Sequence, residues 1–574
     1  METFTSLMSS LGISSVTHLS FALGIVAHVF FFRKGEWDLY TTHLILCFLS
    51  AQIACGAYIF VRNGVTATHA WMLTNTISFH FLFGVFASMM TYRTAFHRLN
   101  RFPGPMAARF SNIYLTWLST KGFRRHEEIM RLHKEYGDIV RTGPSELSIV
   151  DPLLFRSIHS QSSGFTKGPW YNLMRPAVSL HMIRDHNEHG HRRKIWDKGF
   201  SSKALREYEP RVAYYTQQLL KQIASREGQP VNISTLFNFF SFDVMGDLAF
   251  GQSFDMLTDG TAHEYMKSAR DDMLTATAFS HLVWILPLLK SIPGLNHRHV
   301  QLQKWLATQV DQRRKNPPPS PDIFSWILDG YECISRPTQQ DGINLQGDAH
   351  LIVVAGSDLT AASLTCLFYQ LALHPEIMAE LQNEIDQMYA KHAHPDHQDF
   401  SKLRYLNACI DESLRLYPPV PSGLQRMSPP QGYQAGDVHI PGSTVVQVPS
   451  YTMHRGIAKS FPRQFALFSC VSSDPRFFVQ PDEFIPERWT TRPELVRDSS
   501  VFAPFSFGPY SCVGKQLGLM ELRAVTCQIL KQFNVGASEN NEPNQFHADV
   551  RDGLTLITPD LNLVFVQRDH IDRC

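Results

Sequence analysis

The chain has 574 residues and a formal net charge of +1, from 53 Lys and Arg against 52 Asp and Glu. Its length allows one large domain or several smaller ones. The balanced charge gives no overall positive field of the kind that attracts nucleic acids, so no nucleic-acid partner is expected. The nine cysteines are scattered without CxxC pairs, as in chains kept reduced, so no structural disulfides are predicted.

Three apolar runs, at residues 18–32, 44–61 and 71–90, set the first hundred residues apart. Two of them approach the ~20 residues that a membrane-spanning helix needs, and the first is shorter. A signal peptide is disfavoured because no basic segment precedes the first run and no clear cleavage site follows it. We therefore predict that 1–96 is a membrane anchor with up to three transmembrane helices; the alternative is that one or two runs are surface or buried helices.

The charges beside these runs predict an orientation. Arg33 and Lys34 follow the first run and three arginines follow the third, whereas only Arg62 lies between the second and third. The positive-inside rule then places the N-terminus in the lumen and everything after the third run in the cytosol.

The remaining chain, 97–574, reads as one large, mostly helical domain with small sheets. Two short β-like runs around a Gly-Pro turn predict a hairpin within 134–152. Segment 186–410 is mainly helical, interrupted by a Pro-rich loop at 316–322, and a β-branched run at 443–448 predicts a strand.

The stretch FSFGPYSCVG, residues 505–514, precedes an apolar pattern of helical period. Cys512 thus lies at a helix N-terminus, whose free N–H groups and positive dipole end favour a thiolate, the form that binds metals. Gly508 and Gly514 would let the backbone approach a flat ligand and aim N–H groups at the sulfur. A buried core cysteine is the alternative.

This stretch resembles the haem-binding loop of the cytochrome P-450 superfamily, which Phe505, Gly508, Cys512 and Gly514 match. The resemblance implies that Cys512 is the proximal thiolate ligand of haem iron. The family usually has Arg or His two residues before the cysteine, pairing with a haem propionate. Here Tyr510 stands at that position, and its hydroxyl can donate a hydrogen bond but cannot neutralise charge.

A second pair of motifs strengthens the resemblance. The ESLR motif puts Glu412 and Arg415 one helical turn apart, and FIPERW supplies Arg488, which matches the third member of the family's Glu-Arg-Arg cluster. The implied role is structural: a buried charge network beneath the proximal side of the haem.

The segment HLIVVAGSDLTAASLT resembles the family's long distal helix. Ala355 and Gly356 would leave room for dioxygen and substrate, and Asp358 would relay protons. Leu359 occupies the place of the family's usual threonine, and Thr360 follows one residue later. Since one residue turns a side chain by about 100°, Thr360 need not replace the missing hydroxyl; water, a substrate hydroxyl or chemistry without this relay are the alternatives.

Other cations are expected at the haem propionates. His189 and Arg193, one turn apart, match the family's helix there, and Arg426 is a second candidate cation. The neighbouring histidines at 186 and 191 raise a zinc site as the competing interpretation, but no cluster completes four ligands.

One segment departs from the family. The residues of 456–473 separate two motifs, YTMHR and DPRFF, that the family usually joins directly. They form either an extra loop or a translated intron of the gene model. We favour the second, because an apolar, Cys-containing insertion on an exposed loop would leave a sticky patch.

The resemblance implies a mainly α fold with small β-sheets, the cytochrome P-450 fold preceded by N-terminal transmembrane helices, and haem b (iron protoporphyrin IX) as cofactor. It implies a monooxygenase that inserts one oxygen atom into a hydrophobic small molecule. Electrons would come from NADPH through NADPH-cytochrome P-450 reductase, with Lys515 and Arg523 as candidate contacts. The expected location is the endoplasmic reticulum membrane, in contact with lipid, with the catalytic domain cytosolic.

The cavity walls are expected from 165–182, Val354, Ala355 and Leu359, from 420–424 and from 554–558. The N-terminal runs resemble those of fungal members that act on secondary metabolites. Two rivals stay open: a haem-thiolate isomerase or dehydratase, which needs neither reductase nor proton relay, and a non-enzymatic haem protein.

Overall fold

A computed structural model describes residues 13–292, 294, 296–456, 476–538 and 543–568. The chain divides into two compact units. The smaller contains the residues up to Thr116, with Arg141–Ser145 and Phe279–His297; the larger contains Trp117–Val140, Glu146–Ala278 and the chain from Arg298 onward. The predicted division at residue 96 stays a prediction, since the smaller unit takes in segments on both sides of it.

Most of the described chain is helical. The α-helices are α1 Ile13–Ala27, α2 Thr41–Asn63, α3 Ala67–Thr91, α4 Met106–Phe110, α5 Ile113–Thr120, α6 Arg125–Tyr136, α7 Pro152–His159, α8 His186–Gly199, α9 Ser202–Ala224, α10 Ile233–Phe250, α11 Met256–Asp259, α12 Glu264–Ala278, α13 Ile285–Ser291, α14 His297–Lys315, α15 Ile323–Glu332, α16 Gln339–Leu373, α17 Pro375–Lys391, α18 His397–Ser401, α19 Arg404–Leu416, α20 Ser450–Arg455, α21 Lys515–Gln532 and α22 Pro543–Asp549. The strands are β1 Ile139–Gly143, β2 Glu146–Ile149, β3 Thr166–Lys167, β4 Pro230–Asn232, β5 Arg426–Met427, β6 Tyr433–Ala435, β7 Val438–Ile440, β8 Val445–Gln447, β9 Phe533–Ala537, β10 Arg551–Gly553, β11 Thr555–Ile557 and β12 Asn562–Gln567.

In the smaller unit, α1 packs closely against α3. A Cβ atom on Gly24 would lie 2.1 Å from the carbonyl oxygen of Phe81, and one on Gly84 would lie 2.1 Å from that of Phe21. Glycine at both positions therefore allows the two backbones to approach, as in packed membrane helices. The side-chain amide of Gln52 on α2 donates to Asn75 on α3 at 2.9 Å, so the three helices form one bundle.

The three predicted apolar runs are all helical. Ser14–Phe32, Asp38–Asn63 and Ala67–Phe96 are long and apolar enough to cross a membrane, with mean hydropathies of 1.7, 2.2 and 1.3. The long helix Gln339–Leu373 also meets this criterion, but 72% of its most apolar window is buried inside the protein. The N-terminal helices thus indicate membrane association.

Two helices form the centre of the larger unit. α10 and α16 pack along each other, and most side chains of α10 are buried. A Cβ on Gly356 would lie 2.5 Å from Cε of Met245 on α10. The sequence interpretation expected Ala355 and Gly356 to leave room for dioxygen and substrate; both residues line the internal cavity, and Met245 also packs beside Gly356.

Small sheets flank the helices. The largest has the order β1-β2-β8-β5-β3, in which β2 and β8 are parallel and β5 pairs antiparallel with both β8 and β3. β12 lies between β4 and β9, antiparallel to both, and β6-β7 and β10-β11 are antiparallel pairs.

The predicted elements agree with these bounds. The predicted hairpin is β1 and β2, and the strand predicted at 443–448 contains β8. The Pro-rich loop separates α14 from α15. Of the unusual segment 456–473, all but Gly456 lies outside the described residues, so its interpretation stays a prediction.

A buried carboxylate joins α19 to the chain that leads to the cysteine loop. Arg415 donates to both oxygens of Glu412, from Nη2 at 2.8 Å and from Nε at 2.9 Å, and Nε of Arg488 donates at 2.9 Å. The backbone N–H of Ile485 and the indole of Trp489 complete the shell, at 3.0 and 2.9 Å. Five donors thus satisfy one carboxylate whose side chain is fully buried.

Both arginines of this network also bind backbone carbonyls of the following loop. Arg415 donates to Pro481 at 2.6 Å and to Glu483 at 3.0 Å, and Arg488 donates to Val479 at 2.9 Å. Burial acts to raise the pKa of the Glu412 carboxyl, but the two guanidinium groups outweigh burial and lower it. The network matches the structural role expected for these three residues.

Replacing Glu412 tests the importance of the network. The substitution Glu412→Gln leaves two buried arginines without their anion, which costs about 3 to 5 kcal/mol where a buried pair is broken. We expect a lower unfolding midpoint for the full chain in detergent, measured by denaturant titration. The control is Glu264→Gln, which removes an exposed ion pair with Lys267. Equal midpoints for the two variants would contradict a structural role for Glu412.

Candidate active site

A cavity of about 440 Å³ lies inside the larger unit. This volume falls within the range of small-molecule sites. The predicted walls do line it: Lys167, Trp170, Tyr171, Leu173, Met174, Ala177, Ser179, Leu180, His181 and Met182 from the 165–182 segment, Val354, Ala355 and Leu359, Val420, Gly423 and Leu424, and Leu554 and Thr555. Cys512 lines the same cavity; it is accessible from this internal space although the surrounding protein buries it.

The loop before α21 holds Cys512 at the helix entrance. Its backbone N–H donates to the carbonyl of Phe505 at 2.9 Å. Gly508 has φ = 72°, and a Cβ there would lie 1.9 Å from the carbonyl oxygen of His159, so this position requires glycine. A Cβ on Gly514 would lie 3.9 Å from Sγ of Cys512, so glycine leaves space beside the sulfur.

The electrostatics of the thiol differ in part from the sequence argument. Burial raises the pKa of Cys512, and the N–H groups of Gly514 and Lys515, together with Arg193, lower it by less. The expected donors at the helix entrance are present, but desolvation outweighs them and the net shift is upward. A coordinated metal cation deprotonates a thiol outright, so metal binding would reverse this balance.

Tyr510 lies among cations. The guanidinium of Arg426 and the ammonium of Lys167 are each 5.0 Å from its ring centroid, and the His189 ring is 4.7 Å away. Tyr510 therefore stacks with cations instead of supplying one. Burial, followed by the charges of Lys167 and Arg193, lowers the pKa of His189 to about 3, so this imidazole is neutral at physiological pH.

Strand pairing positions the two cations side by side. Lys167 on β3 and Arg426 on β5 are direct partners in the antiparallel register, and both are buried. The ammonium of Lys167 donates to the carbonyls of His181 at 2.7 Å and Leu180 at 3.2 Å. Burial, followed by the charges of Arg426, Arg192 and Arg193, lowers the pKa of Lys167 well below its usual value. Like charges opposite each other destabilise a strand pair, so an anionic ligand would be needed to hold Lys167 in its charged form.

Arg193 reaches the cysteine loop directly. Its Nη1 donates to the carbonyl of Ser511 at 2.6 Å, and its Nε donates to Asp197 at 2.8 Å. The neighbouring Arg192 instead pairs with the buried Asp348. The structure thus brings His189, Arg193, Arg426 and Tyr510 together beside Cys512, as the sequence interpretation expected.

The cluster fits an anionic ligand. Neither Lys167 nor Arg426 forms an ion pair with any residue that the structure describes, although both are buried. Nε of Arg426 and the hydroxyl of Tyr510 are buried and lack a hydrogen-bond partner among the described residues. Buried charges are normally paired, so a carboxylate-bearing group in the cavity is the natural complement.

The two residues predicted to handle protons have different positions. Asp358 does not line the cavity; its carboxylate lies 3.8 Å from the guanidinium of Arg270. Burial raises the pKa of Asp358 and Arg270 opposes this. Thr360 does line the cavity, and its hydroxyl donates to Glu521 on α21.

Sequence reasoning missed Glu521 and included Lys167 only as part of the predicted wall 165–182, not as a charged group of the site. Burial raises the pKa of Glu521 to about 8, with the Thr360 hydroxyl opposing it slightly, and Oε2 has no partner among the described residues. A local signal for Glu521 existed, since it faces the same side of α21 as Leu517 and Gly518. Lys167 carried no such signal, because its partner strand is distant in sequence.

The competing zinc interpretation gains no support. No group of three or more His, Cys, Asp or Glu side chains that could hold a metal ion is found in the part of the chain that the structure describes. The described cysteines at 47, 55, 333, 366, 409, 512 and 527 are all free.

A helical domain with a cysteine at a helix entrance, a buried Glu-Arg-Arg network and a cation-lined cavity defines a haem-thiolate protein. Comparison with known proteins agrees: the family model of cytochrome P450 matches residues 103–461 and 465–565. The chain belongs to the cytochrome P450 family.

Similar fungal proteins carry monooxygenase names. The chain is 52% identical to the cytochrome P450 monooxygenase FCK2 of Fusarium pseudograminearum over 96% of this chain and 97% of that protein. It is 39% identical to the cytochrome P450 monooxygenase orf5 of Eupenicillium brefeldianum, over 88% and 99%. It is 36% identical to the tryprostatin B 6-hydroxylase of Aspergillus fumigatus, over 91% and 90%.

These findings confirm the resemblance to fungal monooxygenases of secondary metabolism and identify the chain as a cytochrome P450 monooxygenase. The family implies a haem-iron centre, a redox partner and hydrophobic substrates. The residues present fit that centre, because a thiol is exposed to the cavity and unpaired buried cations stand beside it.

The raised pKa of Glu521 predicts a pH dependence of stability. Between the ordinary pKa of a glutamate, 4.5, and about 8, the folded chain retains a proton on Glu521 that the unfolded chain has lost. Stability therefore falls as the pH rises through this window. In Glu521→Gln this contribution is absent, so we expect the variant to become more stable than the wild type as the pH rises, measured by denaturant unfolding at several pH values.

The control for this experiment is Glu135→Gln, because Glu135 is half-exposed and paired with Arg131. Its unfolding should follow the wild-type pH profile. If Glu521→Gln also followed that profile, Glu521 would not be a buried neutral carboxyl.

Proposed function

We propose that this protein is a membrane-bound haem b monooxygenase that inserts one oxygen atom into a hydrophobic small molecule, an intermediate of secondary metabolism. The observation that carries the proposal is the exposure of Cys512 to an internal cavity at the entrance of α21. Burial raises the pKa of its thiol, and the backbone N–H groups of Gly514 and Lys515 there oppose this rise.

In this proposal Cys512 is the axial ligand of the iron, with Phe505, Gly508 and Gly514 shaping its loop. Arg193, Arg426 and Lys167 bind the propionates, and His189 and Tyr510 line the same side. When bound, haem iron supplies the cleavage of dioxygen and the transfer of one oxygen atom. The neutral His189 acts by shape and hydrogen bonding, so the three cations provide the charge.

The proton handling that we propose involves Thr360 and Glu521. Leu359 stands in place of the family's usual threonine, and the buried Asp358 does not line the cavity, so the cavity lacks the family's usual acid and alcohol pair. Glu521 holds a proton at neutral pH because burial raises its pKa to about 8, and Thr360 and Glu521, which share a hydrogen bond, both line the cavity. Asp358, paired with Arg270, would exchange protons with solvent at the other side of α16.

The partners that we propose are NADPH-cytochrome P-450 reductase and membrane lipid, with the catalytic domain on the cytosolic side of the endoplasmic reticulum. The three apolar N-terminal helices and the arginines after the third support the membrane arrangement. Lys515 is exposed and remains a candidate contact for an acidic reductase, whereas Nε of Arg523 already donates to Asn407 at 2.9 Å.

The substitution Cys512→Ser tests the ligand assignment. Reduced wild-type protein with carbon monoxide should give the red-shifted absorption band of a thiolate-ligated haem, and the variant should lose this band because an alcohol is a far weaker ligand. The control is Cys333→Ser, which changes an exposed cysteine and should preserve the band. A thiolate band that persists in Cys512→Ser would contradict the assignment.

The same preparations separate the proposed reaction from its rivals. With reductase and a substrate found by screening, the wild type should consume NADPH and incorporate labelled oxygen from dioxygen. Turnover without NADPH would favour an isomerase or dehydratase, and haem binding without turnover of any compound would favour a non-enzymatic role.

The substitution Lys167→Met tests the cation cluster without relying on activity. Loss of one buried cation from a propionate pair should speed haem release by about tenfold or more, because truncating one partner of a buried charge pair mainly raises the dissociation rate. Transfer of haem to excess apomyoglobin measures this rate. The exposed Lys194→Met is the control, and equal release rates for the two variants would exclude Lys167 from the haem site.

A further inference from the structure

One end of the cavity wall is polar. Asp272 on α12, Gln303 on α14 and His350 on α16 line the cavity together. The residues around them are mostly apolar: Ala269, Met273, Ala276, Leu306, Leu351 and Val354. Three different helices thus contribute one polar group each to a single region of an otherwise apolar wall.

Each of these side chains keeps hydrogen-bonding capacity. Nδ1 of His350 is 2.9 Å from the hydroxyl of Tyr265, which leaves Nε2. Oδ2 of Asp272 is 2.9 Å from Nδ1 of His299, which leaves Oδ1. The side-chain amide of Gln303 forms no hydrogen bond with any residue that the structure describes. A carboxylate oxygen, an imidazole nitrogen and an amide therefore remain for a ligand.

The charge at this end is negative. Arginines balance the two nearby carboxylates: Arg298 lies 2.7 Å from Asp271, and Arg270 lies near Asp358. Asp272 lies against the imidazole of His299, which is charged only when protonated, and the charge of Asp272 also acts on His350. Burial lowers the pKa of His350 to about 4, so this residue adds no positive charge at neutral pH.

The polar end of the cavity is distant from the end that lies beside Cys512. His350 and Thr360 lie on the same helix, α16, ten residues apart, and a rise of 1.5 Å per residue separates them by about 15 Å along the axis. Thr360 shares its end of the cavity with Gly518 and Glu521 of α21, the helix that Cys512 precedes. A ligand that reaches both ends is therefore elongated.

We propose that Asp272, Gln303 and His350 form a polar subsite for a protonated amine, carried by an elongated apolar substrate about 15 Å from the carbon that is oxidised. The inference rests on the proposed monooxygenase function and names its substrate class. A partly buried carboxylate on the cavity wall disfavours a wholly apolar ligand, whereas an ammonium group gains a charge-assisted hydrogen bond there. The subsite thereby selects both the substrate and the carbon presented for oxidation.

A matched pair of imidazole ligands tests this subsite. Both carry an imidazole, which binds haem iron, on an alkyl chain of about ten carbons, chosen to cover the ~15 Å between the two ends. One chain ends in a primary amine and the other in a methyl group. Absorbance titration of the full chain in nanodiscs gives the affinity for each.

We expect Asp272→Asn to weaken binding of the amine probe by about tenfold or more, since a hydrogen bond between charged groups is lost. The methyl probe should bind both proteins about equally. The matched control is Asp271→Asn, which changes the adjacent carboxylate that Arg298 already balances. Gln303→Leu is a second variant and should weaken the amine probe in the same direction.

If Asp272→Asn and Gln303→Leu left the preference for the amine unchanged, the subsite would be refuted. Calorimetry of the same titrations measures that preference without the iron spectrum. A wild-type protein without the thiolate band would therefore contradict the proposed function, while calorimetry would still decide whether Asp272 binds the amine.

Discussion

The buried carboxylate of Glu412 is the interaction on which the site depends. Its five hydrogen bonds join α19 to the loop around residues 479–489 through Arg415 and Arg488. Both arginines also donate hydrogen bonds to backbone carbonyls of that loop. A buried charge network is stable only when every member is satisfied, so the network fixes one arrangement of the chain that continues toward Cys512.

The cluster of Lys167, Arg426 and Tyr510 is a second constraint, because its buried positive charge calls for an anionic cofactor. Two buried cations face each other across the β3 and β5 pair, and an aromatic ring occupies the position where the family usually carries a third. This arrangement costs free energy in the protein alone, because like charges are desolvated together. A ligand with carboxylates would remove that cost, so folding and haem binding are expected to stabilise each other.

The sequence predicted the parts of the site that depend on short spacings. The cysteine loop, the Glu412 and Arg415 pair and the apolar anchor are local patterns, and the structure agrees with each. Lys167 was predicted only as part of the cavity wall; its place beside Arg426 could not be predicted because it depends on pairing with a strand far along the chain. The use of Gly356 for packing against Met245 was missed for the same reason, since the partner lies on another helix. The net pKa of Cys512 was misjudged because burial is not visible in sequence.

The described cavity has one end beside Thr360 and Glu521, near Cys512, and a polar end beside Asp272. Helix α16 runs along the cavity from one end to the other. The most direct test of the whole interpretation is iron K-edge X-ray absorption on the purified full chain. We expect a single sulfur among the iron ligands of the wild type, supplied by Cys512 and absent from Cys512→Ser. An iron coordinated only by nitrogen and oxygen in the wild type would contradict the haem-thiolate site.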